Sequence, residues 1–145
     1  MKKVLLINGA NLNLLGTREI DKYGNDTLKD IEKIVIEKGK ELNISIKTFQ
    51  SNIEGELVDA IQQARNDYDG IIINAGGYTH TSVVIRDAIS AVNIPTIEVH
   101  MTNIHAREEF RHVSLLSGVC NGIIAGFGKN SYTLALEALS QILKK

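Results

Sequence analysis

Histidine, tyrosine and arginine side chains gather in polar segments of this 145-residue chain, and three of these segments follow short apolar runs. The apolar runs end at Asn8, Asn74 and His100. Imidazole and phenol groups exchange protons and guanidinium groups bind small anions, so these residue types suit acid–base chemistry on an anionic substrate. Polar residues can also simply mark strand ends, but three of them in equivalent positions favour a site.

The first polar segment is long for a connection between a strand and a helix, because the next helical pattern starts near Thr27. It contains Arg18 and Tyr23, bracketed by Gly16 and Gly24. We interpret it as a lid with glycine hinges. A solvated surface loop is the alternative.

The other two segments each carry a histidine beyond what a turn requires. After Asn74 come two glycines, hydroxyl residues suited to capping a helix, and His80. Strand alternation places Glu98 and His100 on one face, where the carboxylate can fix the tautomer of the imidazole. A capped helix after a tight turn is the structural alternative for the first of these segments.

Two arginines follow His100. If their segment is helical, Arg107 and Arg111 lie one turn apart and can bind a carboxylate with fork geometry. Surface pairing with Glu108 or Glu109 is the alternative.

Composition and missing motifs exclude several function classes. A formal net charge of −1 provides no basic field for nucleic acid or an anionic membrane, and no apolar run reaches the roughly 18 residues of a membrane span. Dinucleotide, Walker A, zinc-binding and nucleophile-elbow motifs are absent, so we expect no metal. One cysteine and no cleavage-site pattern indicate a cytoplasmic protein.

The elements that must position these residues alternate along the chain. Runs 4–7, 71–73, 94–99 and 123–125 are apolar on both faces and predict parallel strands covered by helices on each side. Run 44–49 alternates and predicts an edge strand. Helical stripes cover 28–42, which a capping box at Thr27 precedes, and also 57–64, 85–92 and 134–143.

This alternation predicts an α/β fold in a single domain over residues 1–145. The simplest arrangement is a flavodoxin-like, doubly wound sheet of five parallel strands in the order 2-1-3-4-5, with helices on both faces. Ligands bind at the carboxyl ends of such strands, so the polar segments should meet there.

Several segments resemble the signatures of the type II 3-dehydroquinate dehydratases. They are residues 9–19 (GANLNLLGTRE), 74–82 (NAGGYTHTS), 98–103 (EVHMTN) and 107–112 (REEFRH), followed by 126–128 (GFG) and 131–132 (SY). The likeness extends over essentially the whole chain. It implies dehydration of 3-dehydroquinate to 3-dehydroshikimate in the shikimate pathway, by anti elimination through an enolate and without metal or organic cofactor.

The resemblance also implies residue roles. Tyr23 would be the base at C2, and His100 the acid that protonates the departing C1 hydroxyl. Arg18 would stabilise the phenolate of Tyr23, Asn11 would hold a water against the enolate, and Glu98 would orient His100. The residues implied in substrate binding are Asn74, His80, Met101, Thr102 and Arg111, with Asp87 reaching the site across a subunit boundary. The family assembles as trimers packed into dodecamers, so a homo-oligomer is implied.

This chain departs from the family pattern at a few positions. Ala10 and Ala75 stand where prolines are usual, Gly77 replaces an alanine, and Thr102 replaces a serine. The threonine keeps the hydroxyl, and the other changes alter mainly backbone stiffness.

Two other hypotheses belong to different functional classes. One is a small-molecule or flavin-binding module without catalysis, against which stand the absence of Trp and an aromatic content of 5%. The other is a scaffold that has lost its catalytic function, against which stands the joint presence of Tyr23, Arg18 and His100.

Overall fold

The computed structural model describes residues 1–144, which contain a five-stranded, all-parallel sheet in the order β2-β1-β3-β4-β5. Its strands are β1 (Lys2–Asn8), β2 (Ile44–Gln50), β3 (Gly70–Asn74), β4 (Thr96–His100) and β5 (Gly122–Ala125). Its helices are α1 (Ile20–Tyr23), α2 (Leu28–Glu41), α3 (Glu54–Asp67), α4 (Val83–Val92) and α5 (Asn130–Leu143). The predicted fold class and strand order are confirmed.

Each face of the sheet has its own hydrophobic core. Val4 and Leu6 of β1 belong to the core that α2 and α5 cover, whereas Leu5 and Ile7 belong to the core that α3 and α4 cover. Successive strand residues point to opposite faces, so a strand that is apolar at every position must be covered on both sides. The prediction of helices on both faces is therefore confirmed.

Local hydrogen bonds fix where two of the helices begin. The Thr27 hydroxyl accepts from the Asp30 amide while the Asp30 carboxylate accepts from the Thr27 amide, which confirms the predicted capping box of α2. The Ser82 hydroxyl accepts from the Ile85 amide at the start of α4. Ser82, in the segment after β3, thus caps α4. This is the capped helix that the structural alternative for that segment predicted.

The edges of the sheet correct one expectation. β2 is an edge strand, as its alternation predicted, but β5 forms the other edge, and the prediction that both of its faces are covered is wrong. Ile123 is 43% exposed because α5 packs on one face of β5 and no helix of the described chain covers the other. The strand predicted from residue 94 begins only at Thr96, after Pro95.

The strand register brings the polar strand ends together. Asn8 of β1 lies beside Gln50 of β2 on one side and beside Asn74 of β3 on the other. The Gly9 amide then donates to the Asn74 carbonyl at 2.8 Å, so β1 and β3 stay joined past their last paired residues. The loops that leave these strands therefore start side by side.

The connections that follow β1 and β4 are built from short turns. The first contains a 3-10 turn at Leu12–Leu14 and the single helical turn of α1. The second contains three 3-10 turns, Ile104–Ala106, Glu109–Arg111 and Ser117–Val119. Within residues 1–144, no helix is both long and apolar enough to cross a membrane.

Gly9 is the residue at which the close approach of β1 and β3 requires glycine. A Cβ at Gly9 would overlap the Ala75 carbonyl oxygen and lie 2.7 Å from the Ala75 carbonyl carbon, and both are backbone atoms. We predict that Gly9→Ala lowers the free energy of unfolding by about 1–3 kcal/mol in urea denaturation. Gly55→Ala is the matched control, because a Cβ in that helical position meets nothing within 4 Å and should be stabilising. Equal stability of the two variants would contradict the prediction.

Candidate active site

A cleft opens at the carboxyl edge of the sheet, where the polar segments meet as predicted. It contains about 580 Å³ of space between atoms, including the part open to solvent. Nine of the eleven residues predicted for the site line it: Asn11, Arg18, Tyr23, Asn74, His80, His100, Met101, Thr102 and Arg111. Glu98 lies behind His100, and Asp87 lies outside the cleft.

The Glu98–His100 pair forms the buried side of the cleft. Both residues belong to β4, and their side chains share a face because they are two positions apart. His100 Nε2 lies 2.5 Å from Glu98 Oε2, so this nitrogen carries a proton toward the carboxylate and Nδ1 is the free ring nitrogen. The predicted pairing of the two side chains is confirmed.

Glu98 is a carboxylate with no exposure to solvent. Its oxygens accept hydrogen bonds from His100, from the Ser114 hydroxyl at 2.8 Å and from the Ser117 hydroxyl at 2.6 Å. Burial alone raises the pKa of Glu98, but the hydrogen bonds from His100, Ser117 and Ser114 outweigh it and hold this pKa below its usual 4.5. Glu98 is therefore an anion near neutral pH.

Tyr23 stands at the end of α1, beside two guanidinium groups. Arg107 donates from its Nη1 to the Tyr23 hydroxyl oxygen at 2.8 Å. The guanidinium carbon of Arg18 lies over the face of the ring, 5.1 Å from its centre, and Arg18 also pairs with Glu19 at 2.5 Å. Two cations thus flank the phenol, and of the two only Arg107 bonds to its oxygen directly.

Sequence reasoning singled out Arg107 but did not connect it with Tyr23. The arginine fork depended on a helix through residues 107–111, and that condition is not met, because Arg107 has extended backbone angles and only Glu109–Arg111 forms a 3-10 turn. Arg111 instead pairs with Glu108 at 3.2 Å. Arg107 and Tyr23 are 84 positions apart, so no local sequence pattern predicts their contact. The one indication in the sequence is that an arginine has more N–H donors than one neighbouring carboxylate can accept.

His80 presents a defined ring nitrogen to the cleft. Its Nδ1 lies 2.9 Å from the Val113 carbonyl oxygen, so Nδ1 is the donor and Nε2 is free to accept. Burial, the largest influence, lowers the pKa of His80, although the bond to Val113 raises it. His80 is therefore a neutral acceptor near pH 7.

A buried network holds Asn74 at the floor of the cleft. Tyr132 of α5, which is completely buried, donates to Asn8 Oδ1 at 2.6 Å and accepts from Asn74 Nδ2 at 2.9 Å. Burial raises the pKa of Tyr132, so this phenol remains the donor that the network requires. Asn74 Oδ1 in turn accepts from the Gly76 amide, which leaves the amide group of Asn74 in one orientation.

The loop that carries Asn11 is anchored from the end of β2. The Asn11 amide donates to Asn52 Oδ1 at 2.9 Å, and Gln50 donates to both Asn52 Oδ1 and the Gly9 carbonyl. Asn11 has a φ of 70°, a left-handed conformation that asparagine tolerates better than most residues. Sequence reasoning missed Gln50 and Asn52, which lie at the carboxyl end of the neighbouring strand.

The structure contains no three-residue group of His, Cys, Asp or Glu able to hold a metal ion within residues 1–144. The cleft is instead lined by amides, imidazoles, a phenol and guanidinium groups. Such a set binds a polyhydroxylated acid by hydrogen bonds and charge.

Comparison with known proteins identifies the family. The model of the family "Dehydroquinase class II" matches residues 2–140. The chain belongs to the class II dehydroquinase family. The 3-dehydroquinate dehydratase of Caldicellulosiruptor bescii is 57% identical over 144 residues, which are 99% of either chain. The type II dehydroquinase crystal structure from Butyrivibrio crossotus superposes with a TM-score of 0.93 at 46% identity, over 99% of this chain and 98% of that one.

Family membership confirms the expected enzyme class. A second relative, the 3-dehydroquinate dehydratase of Prochlorococcus marinus, is 54% identical over 142 residues, which are 98% of either chain. The chain is thus a lyase of the shikimate pathway. The alternative of a binding module without catalysis is rejected.

The low pKa of Glu98 links the stability of this dehydroquinase to pH. A carboxylate with a lowered pKa in the folded state adds stability above its unfolded pKa, and this contribution is lost as pH falls through the folded value. We predict that Glu98→Gln lowers the free energy of unfolding by about 1–3 kcal/mol at pH 7, and that the difference from wild type shrinks below about pH 4.5. Urea unfolding from pH 7 to pH 3 measures it.

The matched control for this experiment is Glu37→Gln, because Glu37 is exposed on α2. This control should follow the wild-type curve throughout. A Glu98→Gln difference that stays constant down to pH 3 would show that the Glu98 carboxylate is not stabilised as an anion in the fold.

Proposed function

We propose that this chain dehydrates 3-dehydroquinate to 3-dehydroshikimate by anti elimination through an enolate. In the first step Tyr23, as phenolate, removes a proton from C2, and the electron pair moves onto the C3 carbonyl oxygen. In the second step the enolate re-forms the C3 carbonyl, a new double bond forms between C1 and C2, and the C1–O bond breaks. His100 donates its proton to the departing oxygen, which leaves as water.

One observation carries this proposal: a phenol bonded to a guanidinium and an imidazole bonded to a buried carboxylate line the same cleft. The two groups have opposite electrostatic partners. A guanidinium donates to the Tyr23 oxygen, whereas a carboxylate accepts from the His100 ring. A cationic partner on one group and an anionic partner on the other suit a base and an acid that act on the same substrate.

The base depends on both arginines in this proposal. The family resemblance implies that Arg18 stabilises the phenolate, and the geometry supports an equal or larger share for Arg107. A hydrogen bond from a cation acts directly on the oxygen that must carry the charge, whereas Arg18 lies over the ring. Arg18 belongs to the segment that carries Tyr23, so closure of that segment would deliver both to the substrate.

The remaining polar groups of the cleft suit substrate binding. In our proposal Asn74, His80 and the Met101–Thr102 stretch contact the hydroxyl groups, and Arg111 binds the carboxylate. Asn11 would hold the water that stabilises the enolate. His80 supports this assignment as a neutral acceptor, because a substrate hydroxyl can donate to its free nitrogen.

The proposal extends to the assembly, a cytoplasmic homo-oligomer of trimers packed into a dodecamer. Asp87 is exposed on α4, away from the cleft of its own chain, and is free to reach the site of a neighbouring subunit. Val83 and Val84, one turn earlier, are 57% and 50% exposed. Apolar side chains beside a predicted inter-subunit residue support a contact between copies at this helix.

Removal of the Tyr23 hydroxyl tests the base. We predict that Tyr23→Phe lowers kcat about 10²- to 10⁴-fold, the usual contribution of a general base, while ligand affinity changes only several-fold. The rise in ultraviolet absorbance as the conjugated product forms measures turnover. Tyr68→Phe is the matched control, since no hydrogen bond involves the Tyr68 hydroxyl among the described residues. Near-normal turnover of Tyr23→Phe would remove Tyr23 from the mechanism.

Replacement of Arg107 by methionine tests its share in stabilising the phenolate. We predict that Arg107→Met lowers kcat/KM at pH 7 about 10- to 100-fold, because one hydrogen bond to a charged group is lost, and that part of the rate returns as pH is raised. Arg18→Met should give the same pH response with a smaller loss. Arg65→Met, an exposed change on α3, serves as the control. A rate loss that does not vary with pH would assign Arg107 to substrate binding alone.

A further inference from the structure

The segment of the β4–β5 connection from His112 to Ser117, the first residue of the third 3-10 turn, contacts Glu98. Ser114 donates to Glu98 Oε2 and Ser117 donates to Oε1, so each carboxylate oxygen receives one hydroxyl. His100 binds the oxygen that Ser114 also contacts. The carboxylate is thereby held from both sides, and its plane is set by two serines that lie 16 and 19 residues along the chain.

The direction of the Ser114 hydrogen bond is fixed by the backbone. The amides of Leu116 and Ser117 both donate to Ser114 Oγ, at 3.1 and 3.2 Å. Because these donors occupy the lone pairs of the oxygen, the hydroxyl hydrogen must point toward Glu98. Ser114 therefore acts as a donor to the carboxylate.

The segment is itself anchored to α4 and to the 3-10 turn Gly76–His80 that follows β3. Arg86 donates to the Leu115 carbonyl at 2.7 Å, and the Leu115 amide donates to the Thr79 carbonyl at 2.9 Å. The side chain of Leu116 is completely buried. The two serines are thus held in place independently of Glu98, which allows them to impose an orientation on it.

We infer that Ser114 and Ser117 are positioning residues of the dehydration, which keep Glu98 ionised and aligned so that His100 keeps its proton for the departing hydroxyl. This inference rests on the proposed role of His100 as the acid. Loss of one hydroxyl removes a donor that only the anionic carboxylate needs, and Glu98 then competes with the imidazole for the proton. Turnover should fall, while substrate binding, which uses other groups, should not.

The pH response separates this role from a packing role. The titratable or charged groups near Glu98 are His100 on β4, His80 after β3, Arg86 on α4 and Cys120 after the last 3-10 turn. Burial raises the pKa of Cys120 to about 12 and lowers the pKa of His80 below its usual 6.5, so both groups stay uncharged as pH rises above 7. The proposed base Tyr23 limits the rate on the acid side of the profile, and loss of the proton of the proposed acid limits it on the alkaline side. A change at the alkaline side therefore reports the Glu98–His100 pair.

The experiment uses Ser117→Ala in the full chain. The amide of Ser117 keeps its bond to Ser114, so the backbone of the segment retains its contacts. We expect kcat to fall about 10-fold with KM within about twofold, and the alkaline side of the pH–kcat profile to move to lower pH. Ser117→Thr restores a hydroxyl and should recover most of the rate. Ser140→Ala is the control, because the side chain of Ser140 is more deeply buried than that of half-buried Ser117 and its hydroxyl bonds only to the Glu137 carbonyl on α5.

A double-mutant cycle decides whether Ser117 acts through Glu98. In a Glu98→Gln background the further change Ser117→Ala should cost less than twofold in kcat. An equal fold-loss in both backgrounds, or wild-type kcat in Ser117→Ala with an unchanged melting temperature, would overturn the inference. If His100→Gln keeps near-normal turnover, it is the proposed acid that fails. An inactive His100→Gln beside a fully active Ser117→Ala would reject the serines alone.

Discussion

The buried negative charge of Glu98, which has no access to water, constrains the structure of the cleft. Removing a carboxylate from water costs several kcal/mol unless donors replace the lost hydration. Glu98 meets this requirement with three donors, one from its own strand and two from the connection that follows. The path of the β4–β5 connection is therefore set by the need to bring serine hydroxyls back to β4. His100 takes its orientation, and its free nitrogen, from the same arrangement.

The opposite side of the cleft depends on a contact between two connections. Arg107, after β4, bonds to Tyr23, which the β1 connection carries on its single helical turn. This bond joins the β1 connection to the β4–β5 connection. The same bond places a cation beside the phenol oxygen. In the proposed mechanism, the contact that joins the two connections is therefore also the one that stabilises the base. The proposed acid, His100, by contrast lies on a strand.

Most of the strands and helices, and many of the residues that line the cleft, could be predicted from the sequence. Buried runs such as 71–73 identify strands because only helices on both faces can cover them, and the polar residue after each run marks the carboxyl edge. The same reasoning failed for β5, since an apolar run does not reveal how many helices remain to cover it. The arginine fork was conditional on a helix through residues 107–111, and that helix does not form. The partner of Arg107 lies 84 residues away, beyond the reach of local patterns.

Which elements form, and which side chains stand at the strand ends, was determined by the sequence alone. Periodicity and capping are interactions between near neighbours in the chain, so patterns such as Thr27 with Asp30 record them directly. Only the tertiary structure decided which of several competing polar partners meet. Arg107 pairs with its neighbour Glu108 at 3.7 Å but makes its shorter contact, 2.8 Å, with the distant Tyr23. Two serines 16 and 19 residues along the chain bond to Glu98. Hydrogen bonds act over about 3 Å in space, whatever the separation in sequence, so packing alone selects their partners.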